Sequence, residues 1–409
     1  MVQNEIDEAT LESKVATIVR LVEGHTDRAE EAQILDLLRN AGPGELDLLL
    51  GRLPLARLLS SIDDRVVGPD NRTALFRLLC EDRLADLSVP TRAALVFALQ
   101  RGRTDGADEG AIGRILLATR GEALTDLKNT IDDGGDYRDL QQLIYRDLDH
   151  DLLRERILEH FRVEGAPRAD LKVLSDIDDT LYPNWKDARY PRTKEPRPYP
   201  GVRAFYNELD LAFSPTADPG DLTFLTARPG DRAGLGEGIT RKHLAAIGLP
   251  YAKVLTGDFG HLATHDLMAD RKYASFIEYK KLFPEYTFVF CGDSGQGDAI
   301  AGAHMMAHPG GGMRAVFIHD VIDTNAEGRA AWRAKGVHFN DTYIGHALDA
   351  FTLGLLDRAA LRRVADAALR DLRDVPFQDL DQREARWAEF RRDIERVNAI
   401  LPEDERLSL

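Results

Sequence analysis

Up to about Phe161 the apolar positions recur at helical spacing, as in Ile34, Leu37 and Leu38 and in the run from Ala93 to Leu99. Turn signals such as Gly42-Pro43-Gly44, Gly68-Pro69-Asp70 and Asp132-Asp133-Gly134-Gly135 separate these segments. No alternating strand pattern interrupts them, so the spacing predicts an all-helical domain over residues 1–165. From about Ala169 the period changes. Short apolar or β-branched runs occur at Val173-Leu174, Leu222 to Leu225, Lys253-Val254-Leu255, Thr287 to Cys291, Ala315 to His319 and Val337-His338-Phe339. Helical patterns separate most of them: Val202 to Leu209, Arg241 to Ile247, Lys272 to Phe283 and Asp298 to Met306. That alternation predicts a Rossmann-like α/β domain over 169–350, with a parallel sheet covered by helices on both faces. Residues 351–409 return to helical spacing, with amphipathic stretches at Leu361 to Leu372 and Trp387 to Ile400 expected to pack on the α/β core.

The helical part contains an internal repeat. Gly24-His25-Thr26-Asp27, followed by Ala29, Glu31, Ile34 and Leu38, returns as Gly102-Arg103-Thr104-Asp105, followed by Ala107, Glu109, Ile112 and Leu116. Further on, Ser61-Ile62-Asp63-Asp64 is echoed by Thr130-Ile131-Asp132-Asp133. Thr and Asp at these places suit helix N-caps, and acidic groups in the first turn favour the positive end of the helix dipole. Two stacked copies of one helical unit account for the repeat. The Gly-x-Thr-Asp motif also resembles annexin calcium repeats, but His25 and Arg103 stand where those loops carry a second glycine. Docking of this domain to a protein partner or a membrane stays open at this stage.

Composition narrows the class. The chain has 409 residues, 44 % hydrophobic and 30 % charged, which is enough for sizeable buried cores. Its net charge of −16 disfavours nucleic acid as a partner. Two cysteines, Cys80 and Cys291, suit a reducing compartment. No apolar run approaches the roughly 18 residues that span a bilayer, and the stretch MVQNEIDEATLESK is unlike a secretory leader. A cytoplasmic protein is expected, with peripheral membrane contact open.

In doubly wound sheets the chemistry collects beyond the carboxyl ends of the strands. After the first predicted strand comes Asp176-Ile177-Asp178-Asp179-Thr180, and after the second comes Thr226. After the fourth comes Gly292-Asp293-Ser294-Gly295-Gln296-Gly297-Asp298, two carboxylates in a glycine-rich loop that opens a helix. Such a loop suits a hard cation, which takes carboxylate oxygens and a substrate phosphate oxygen. Lys272, expected at the start of the preceding helix, is placed to point back over these groups.

In this order the four elements resemble the haloacid dehalogenase phosphatase superfamily over about Ala169 to Phe351. Within it, Ser175-Asp176-Ile177-Asp178-Asp179-Thr180 with the 292–298 loop is similar to the actin-patch-type phosphatidate phosphatase catalytic domain, a relative of the lipins. The stretch Ala315 to Val321 and Asn340-Asp341-Thr342-Tyr343 extend the likeness. The resemblance implies a Mg²⁺-dependent phosphatase with Asp176 as nucleophile and Asp178 as acid–base. It implies Mg²⁺ on Asp176, Asp293 and the Asp178 carbonyl. Thr226, Lys272 and Thr180 would hold phosphate oxygens, with Asp298 and Ser294 around them. Where the family carries Ser-Asn-Ser-Pro this chain has Thr226-Ala227-Arg228-Pro229, and it has His319 where the family has Arg.

Neither interval after the first two motifs is long enough for a large cap domain, so an open site facing a bulky lipid phosphate is expected. The loop after the first motif carries Arg189, Arg192, Lys194 and Arg197 beside Tyr182, Trp185 and Tyr190. With Arg228 it is a candidate substrate loop, basic and aromatic enough to meet an anionic interface. A soluble phosphate ester is the competing substrate. A module that only binds a phosphorylated ligand or a membrane is the competing class, which retention of both Asp176 and Asp178 disfavours.

Overall fold

The computed structural model describes residues 7–62, 70–101, 106–134, 139–167, 170–184, 186–193, 196–212, 222–226, 242, 244–249, 253–256 and 264–408. The chain forms two compact units: Met1–Ala166 with Lys281–Phe283, and Pro167–Lys280 with Pro284–Leu409.

Among its described residues the first unit is helical, with helices including Arg28–Arg39, Val89–Leu99, Gly106–Ala118 and Asp151–Glu164. Asp27 caps Arg28–Arg39 and shares a capping box with Glu30, which satisfies the free N–H groups of the first turn. The corresponding turn of the second copy, Gly102 to Asp105, lies outside the described residues, as do Asp63 and Asp64. The equivalent apolar residues are buried in both copies: Ile34 and Leu38 in the first, Ile112 and Leu116 in the second. The equivalent acidic residues are buried too. Glu31 accepts from Asn71 Nδ2 at 2.7 Å, and Glu109 accepts from the backbone N–H groups of Asp149 and His150, each at 3.2 Å. Both glutamates thus reach the start of a helix about 40 residues downstream, Asn71–Arg77 or Asp151–Glu164.

The second unit is the expected α/β fold. Among the described residues its sheet has strands β1 (Leu171–Ser175), β2 (Leu222–Thr226), β3 (Lys253–Thr256), β4 (Thr287–Asp293), β5 (Met313–His319) and β6 (Val337–Asn340). They run parallel in the order β3-β2-β1-β4-β5-β6. Every residue of β1 is buried, as a strand covered on both faces must be, which explains its continuous apolar run. The order reverses between β1 and β4, so a crevice opens beyond their carboxyl ends. Register carries the chain into that crevice: Ser175 lies opposite Cys291, and the Asp176 N–H donates to the Cys291 carbonyl at 2.9 Å, one residue past the strand.

The helix before β4 spans His265–Leu282, beginning earlier than its apolar pattern suggested, so Lys272 lies two turns inside it rather than at its start. The helices Arg358–Arg373 and Leu380–Asn398 bury Leu361, Val364, Phe390 and Ile394 in the same apolar cluster as Val173, Phe224 and Phe317 of the sheet. No helix among the described residues is long and apolar enough to cross a membrane.

The Pro-rich loop after β1 enters the helix Val202–Leu211 through Gly201, at φ 85°, and a Cβ there would lie 2.6 Å from that of Ala368. Gly354 is also left-handed, at φ 71°, but has open space around it. Gly354→Ala therefore isolates the dihedral cost of about 1 kcal/mol, while Gly201→Ala adds overlap for about 2–4 kcal/mol in all. Chemical denaturation of the two variants checks this ordering; equal losses would refute the tight approach at Gly201.

Candidate active site

The switch point gathers the chemistry-bearing side chains. Asp176 follows β1, Asp293 ends β4, and Asp298 opens the helix Asp298–Met306. All three are buried, and one carboxylate oxygen of each lies within 4.8 Å of the others. Glycines make this approach possible. A Cβ on Gly292 would sit 2.5 Å from that of Asp298, and one on Gly297, at φ 90°, would sit 2.5 Å from the His265 carbonyl oxygen.

Lys272 enters the cluster from its helix, fully buried, bonding Asp298 Oδ1 and lying 3.0 Å from Asp176 Oδ1. Burial opposes its charge, but Asp176, Asp298 and Asp293 outweigh that and hold the ammonium above its ordinary range. Burial pushes the Asp176 carboxyl up to about 7, with Lys272 pulling down and Asp298 and Asp178 pushing up. Asp293 is raised well above the carboxylate range by burial and by the Asp298 and Asp176 charges.

One ammonium against three carboxylates leaves the cluster short of positive charge. Asp298 has both oxygens engaged, Oδ1 with Lys272 and Oδ2 with the Asp293 N–H at 3.2 Å. Asp293 Oδ1 accepts from the Gly295 N–H at 2.6 Å, while its Oδ2 is buried with no hydrogen-bond partner. An orphaned buried carboxylate oxygen in an acidic cluster fits a divalent cation. The structure gathers Asp298 rather than the Asp178 side chain with Asp176 and Asp293; Asp178 Oδ1 instead accepts from Asn184 Nδ2 at 2.7 Å, and its carbonyl from Gln296 Nε2 at 3.3 Å.

The loop that carries Asp178 turns on Asp179, held at φ 59° and fully buried. Its carboxylate accepts from three backbone N–H groups: Asn184 at 2.8 Å, Lys186 at 2.6 Å and Asp187 at 3.3 Å. Its carbonyl meets His319 Nδ1 at 3.1 Å, and Arg189 Nη2 faces His319 Nε2 at 3.2 Å. A guanidinium only donates, so His319 is neutral with its proton on Nδ1, in line with a pKa pulled down to about 4 by burial and by Arg189. Ser175 Oγ donates to the Asp176 carbonyl at 2.7 Å, fixing the backbone of the first motif. The Thr180 carbonyl accepts from Tyr343 Oη, and Thr180 Oγ1 is buried without a partner.

Other expected residues are placed differently. Thr226 closes β2 beside Thr256 of β3, while Arg228, Lys194 and Trp185 lie outside the described residues. Ser294 Oγ donates to Asp320 at 3.0 Å and accepts from the Val321 N–H at 2.9 Å, tying the β4 and β5 loops together. Arg189, expected on a surface patch, is largely buried and paired with the buried Asp187 at 3.0 Å, so its charge is neutralised there. Tyr182 and Tyr190 are buried too, Tyr190 edge-on to Tyr199 with ring centres 5.1 Å apart, so neither can meet an interface. Arg192 and Arg197 remain exposed, Arg197 donating to the Asp374 carbonyl at 3.0 Å. Sequence reasoning missed Asn184, Lys186 and the Asp187–Arg189–His319 chain. Lys186 is exposed, its stem against Gly295: a Cβ on Gly295 would lie 2.9 Å from Lys186 Cγ and 3.0 Å from Asp293 Oδ1. Only the clustering of Asn184, Lys186, Asp187 and Arg189 within a dozen positions of Asp178 hinted at them, and nothing in the sequence tied His319 to that loop.

In a comparison with known families, residues 171–320 match the family model described as phosphatidate phosphatase APP1, catalytic domain. The matched segment runs from β1 to the residue after β5 and holds every member of the carboxylate–lysine cluster. It is the family that the motifs resemble. Neither the curated proteins nor the solved structures gave a match.

The raised carboxyls give a testable linkage. Asp176 in the fold binds its proton more tightly than an unfolded Asp, whose pKa is 3.8, so its contribution to stability is full below that value and is lost as pH rises through about 7. A divalent cation binds the ionised cluster and competes with those protons. Added Mg²⁺ should therefore raise the unfolding temperature clearly at pH 8 and much less at pH 5.5, and Asp293→Asn should abolish the pH 8 shift. Differential scanning fluorimetry with EDTA as baseline reads this; a shift equal at both pH values would count against a cation in the cluster.

Proposed function

Starting from a catalytic domain of the phosphatidate phosphatase type, and hence a phosphoric monoester hydrolase, we propose that this chain hydrolyses a lipid phosphate through an aspartyl-phosphate on Asp176. The observation that carries the reading is the buried Asp176–Lys272–Asp293–Asp298 cluster at the point where strand order reverses.

Asp176 Oδ attacks phosphorus, the new O–P bond forms, and the ester oxygen leaves with the electron pair of the broken bond. Asp178 gives that oxygen a proton. Asp178 then takes a proton from a water that attacks the phosphoaspartate, releasing inorganic phosphate and restoring the Asp176 carboxylate. Lys272 offsets charge beside the nucleophile, and Asp298 holds it there. Mg²⁺, held by Asp176 and Asp293 with the Asp178 carbonyl, would supply the further positive charge that lets a carboxylate approach a phosphate dianion. Thr226 and Thr180 are the hydroxyls assigned to the remaining phosphate oxygens. Thr180 is buried with its hydroxyl unpartnered, a setting in which an electrostatic contact is strong.

The substrate is read as phosphatidate-like because the family match names that chemistry. Lys186, Arg192 and Arg197 are exposed cations of the loop after the first motif, which suits an anionic surface, while Arg189 is largely buried. The helical unit is proposed as a separate domain that docks to a protein or a membrane, and the C-terminal helices as part of the phosphatase core.

Asp176→Asn preserves shape and removes the nucleophile, so turnover of phosphatidic acid in mixed micelles should fall at least about a thousandfold. A loss of less than about tenfold would remove Asp176 from that role. Assayed alongside, a preference of more than about tenfold in kcat/KM for soluble phosphate esters would move the substrate to a small metabolite and leave the reaction type standing.

A further inference from the structure

The loop after the acid–base carboxylate is built to aim it. Asn184 Nδ2 donates to Asp178 Oδ1 at 2.7 Å, and Asn184 is itself fixed, its backbone N–H donating to Asp179 Oδ1 at 2.8 Å. Asp179 bonds two more N–H groups of the same turn, those of Lys186 and Asp187. The Asp178 carbonyl is held by Gln296 Nε2 from the loop that carries Asp293, at 3.3 Å. Both ends of the Asp178 residue are therefore restrained, the backbone from one side of the switch point and the carboxyl from the other.

An amide N–H only donates. Against a carboxylic acid it pairs with the oxygen that acts as acceptor and not with the oxygen that bears the proton. We propose that Asn184 is a positioning residue for the phosphatase reaction: it fixes Asp178 Oδ1 as the accepting oxygen, so that the proton travels on Oδ2 to the leaving oxygen of the ester. The inference deepens the reading of Asp178 as acid–base and rests on it. Proton delivery matters in proportion to how poor the leaving group is. A diacylglycerol alkoxide needs the proton as the P–O bond breaks. A p-nitrophenolate leaves without one. Asn184 therefore favours alkyl over aryl phosphates, and this preference arises in a residue that touches the acid rather than the lipid.

The test uses the full chain with Mg²⁺ and compares phosphatidic acid with p-nitrophenyl phosphate in the same detergent micelles. The quantity read is kcat/KM, which covers only the steps up to formation of the phosphoenzyme. Asn184→Ala removes the donor; Asn184→Asp keeps the size of the side chain and cannot donate when ionised, so it serves if the alanine variant folds poorly. Both should lose about ten- to a hundredfold on phosphatidic acid, part of the 10²–10⁴ that a placed proton donor contributes, and less than about threefold on the aryl ester. Equal losses on the two substrates, or none on phosphatidic acid, would overturn the assignment. Asp176→Asn run beside them separates the causes. If it is inactive while the Asn184 variants lose both activities alike, only the role of Asn184 falls; if it stays active, the phosphoaspartate reading falls and this one with it.

Discussion

Three carboxylates buried within 4.8 Å of one another around a single lysine ammonium form an arrangement that proteins avoid unless something compensates it. Asp176, Asp293 and Asp298 come from two loops, and Lys272 from the helix preceding β4, so their meeting depends on β1 and β4 being neighbours in the sheet. The remaining charge imbalance is what a hard divalent cation can relieve. It also explains why Asp176 and Asp293 hold their protons so tightly when nothing else neutralises them. Glycine at 292 and 297 is the steric condition for that crowding, since any side chain there would collide with Asp298 or with the His265 backbone.

A second layer of fixed groups surrounds this cluster and controls where Asp178 points. Asp179 accepts a left-handed backbone and in return gathers the N–H groups of the following turn. His319 closes the other side, neutral and buried, linking that turn through Arg189 to Asp187 and Tyr199. Arg189 and Tyr199 thus brace, through Asp187 and His319, the turn that follows Asp178. A rigid placement of this kind is what a proton transfer timed to bond cleavage requires.

The helical unit solves a different problem with the same economy of parts. Its repeat places one glutamate per copy, Glu31 and Glu109, to reach the beginning of a later helix, and buries the equivalent Ile and Leu positions beneath. These two glutamates are hydrogen-bond acceptors inside the unit. In the α/β unit, Asp293 Oδ2 lacks a hydrogen-bond partner and stands beside two further buried carboxylates.

Much of this was legible in the residues themselves. Strands covered on both faces need unbroken apolar runs, so β1, β4 and β5 announced themselves, and Asp176 and Asp293 could be put at strand ends from the chain alone. Helical period likewise separated the first unit from the second. Tertiary structure decided which distant groups met. That Asp298 stands with Asp176 and Asp293, that Lys272 reaches them from inside its helix, and that Arg189 turns inward to Asp187 and His319 all rest on contacts spanning up to 130 residues. Periodicity reports whether a position faces apolar surroundings, because that preference is local and repeats with the backbone. Whether a charge is buried depends on the partner that neutralises it, and only the folded chain brings that partner near.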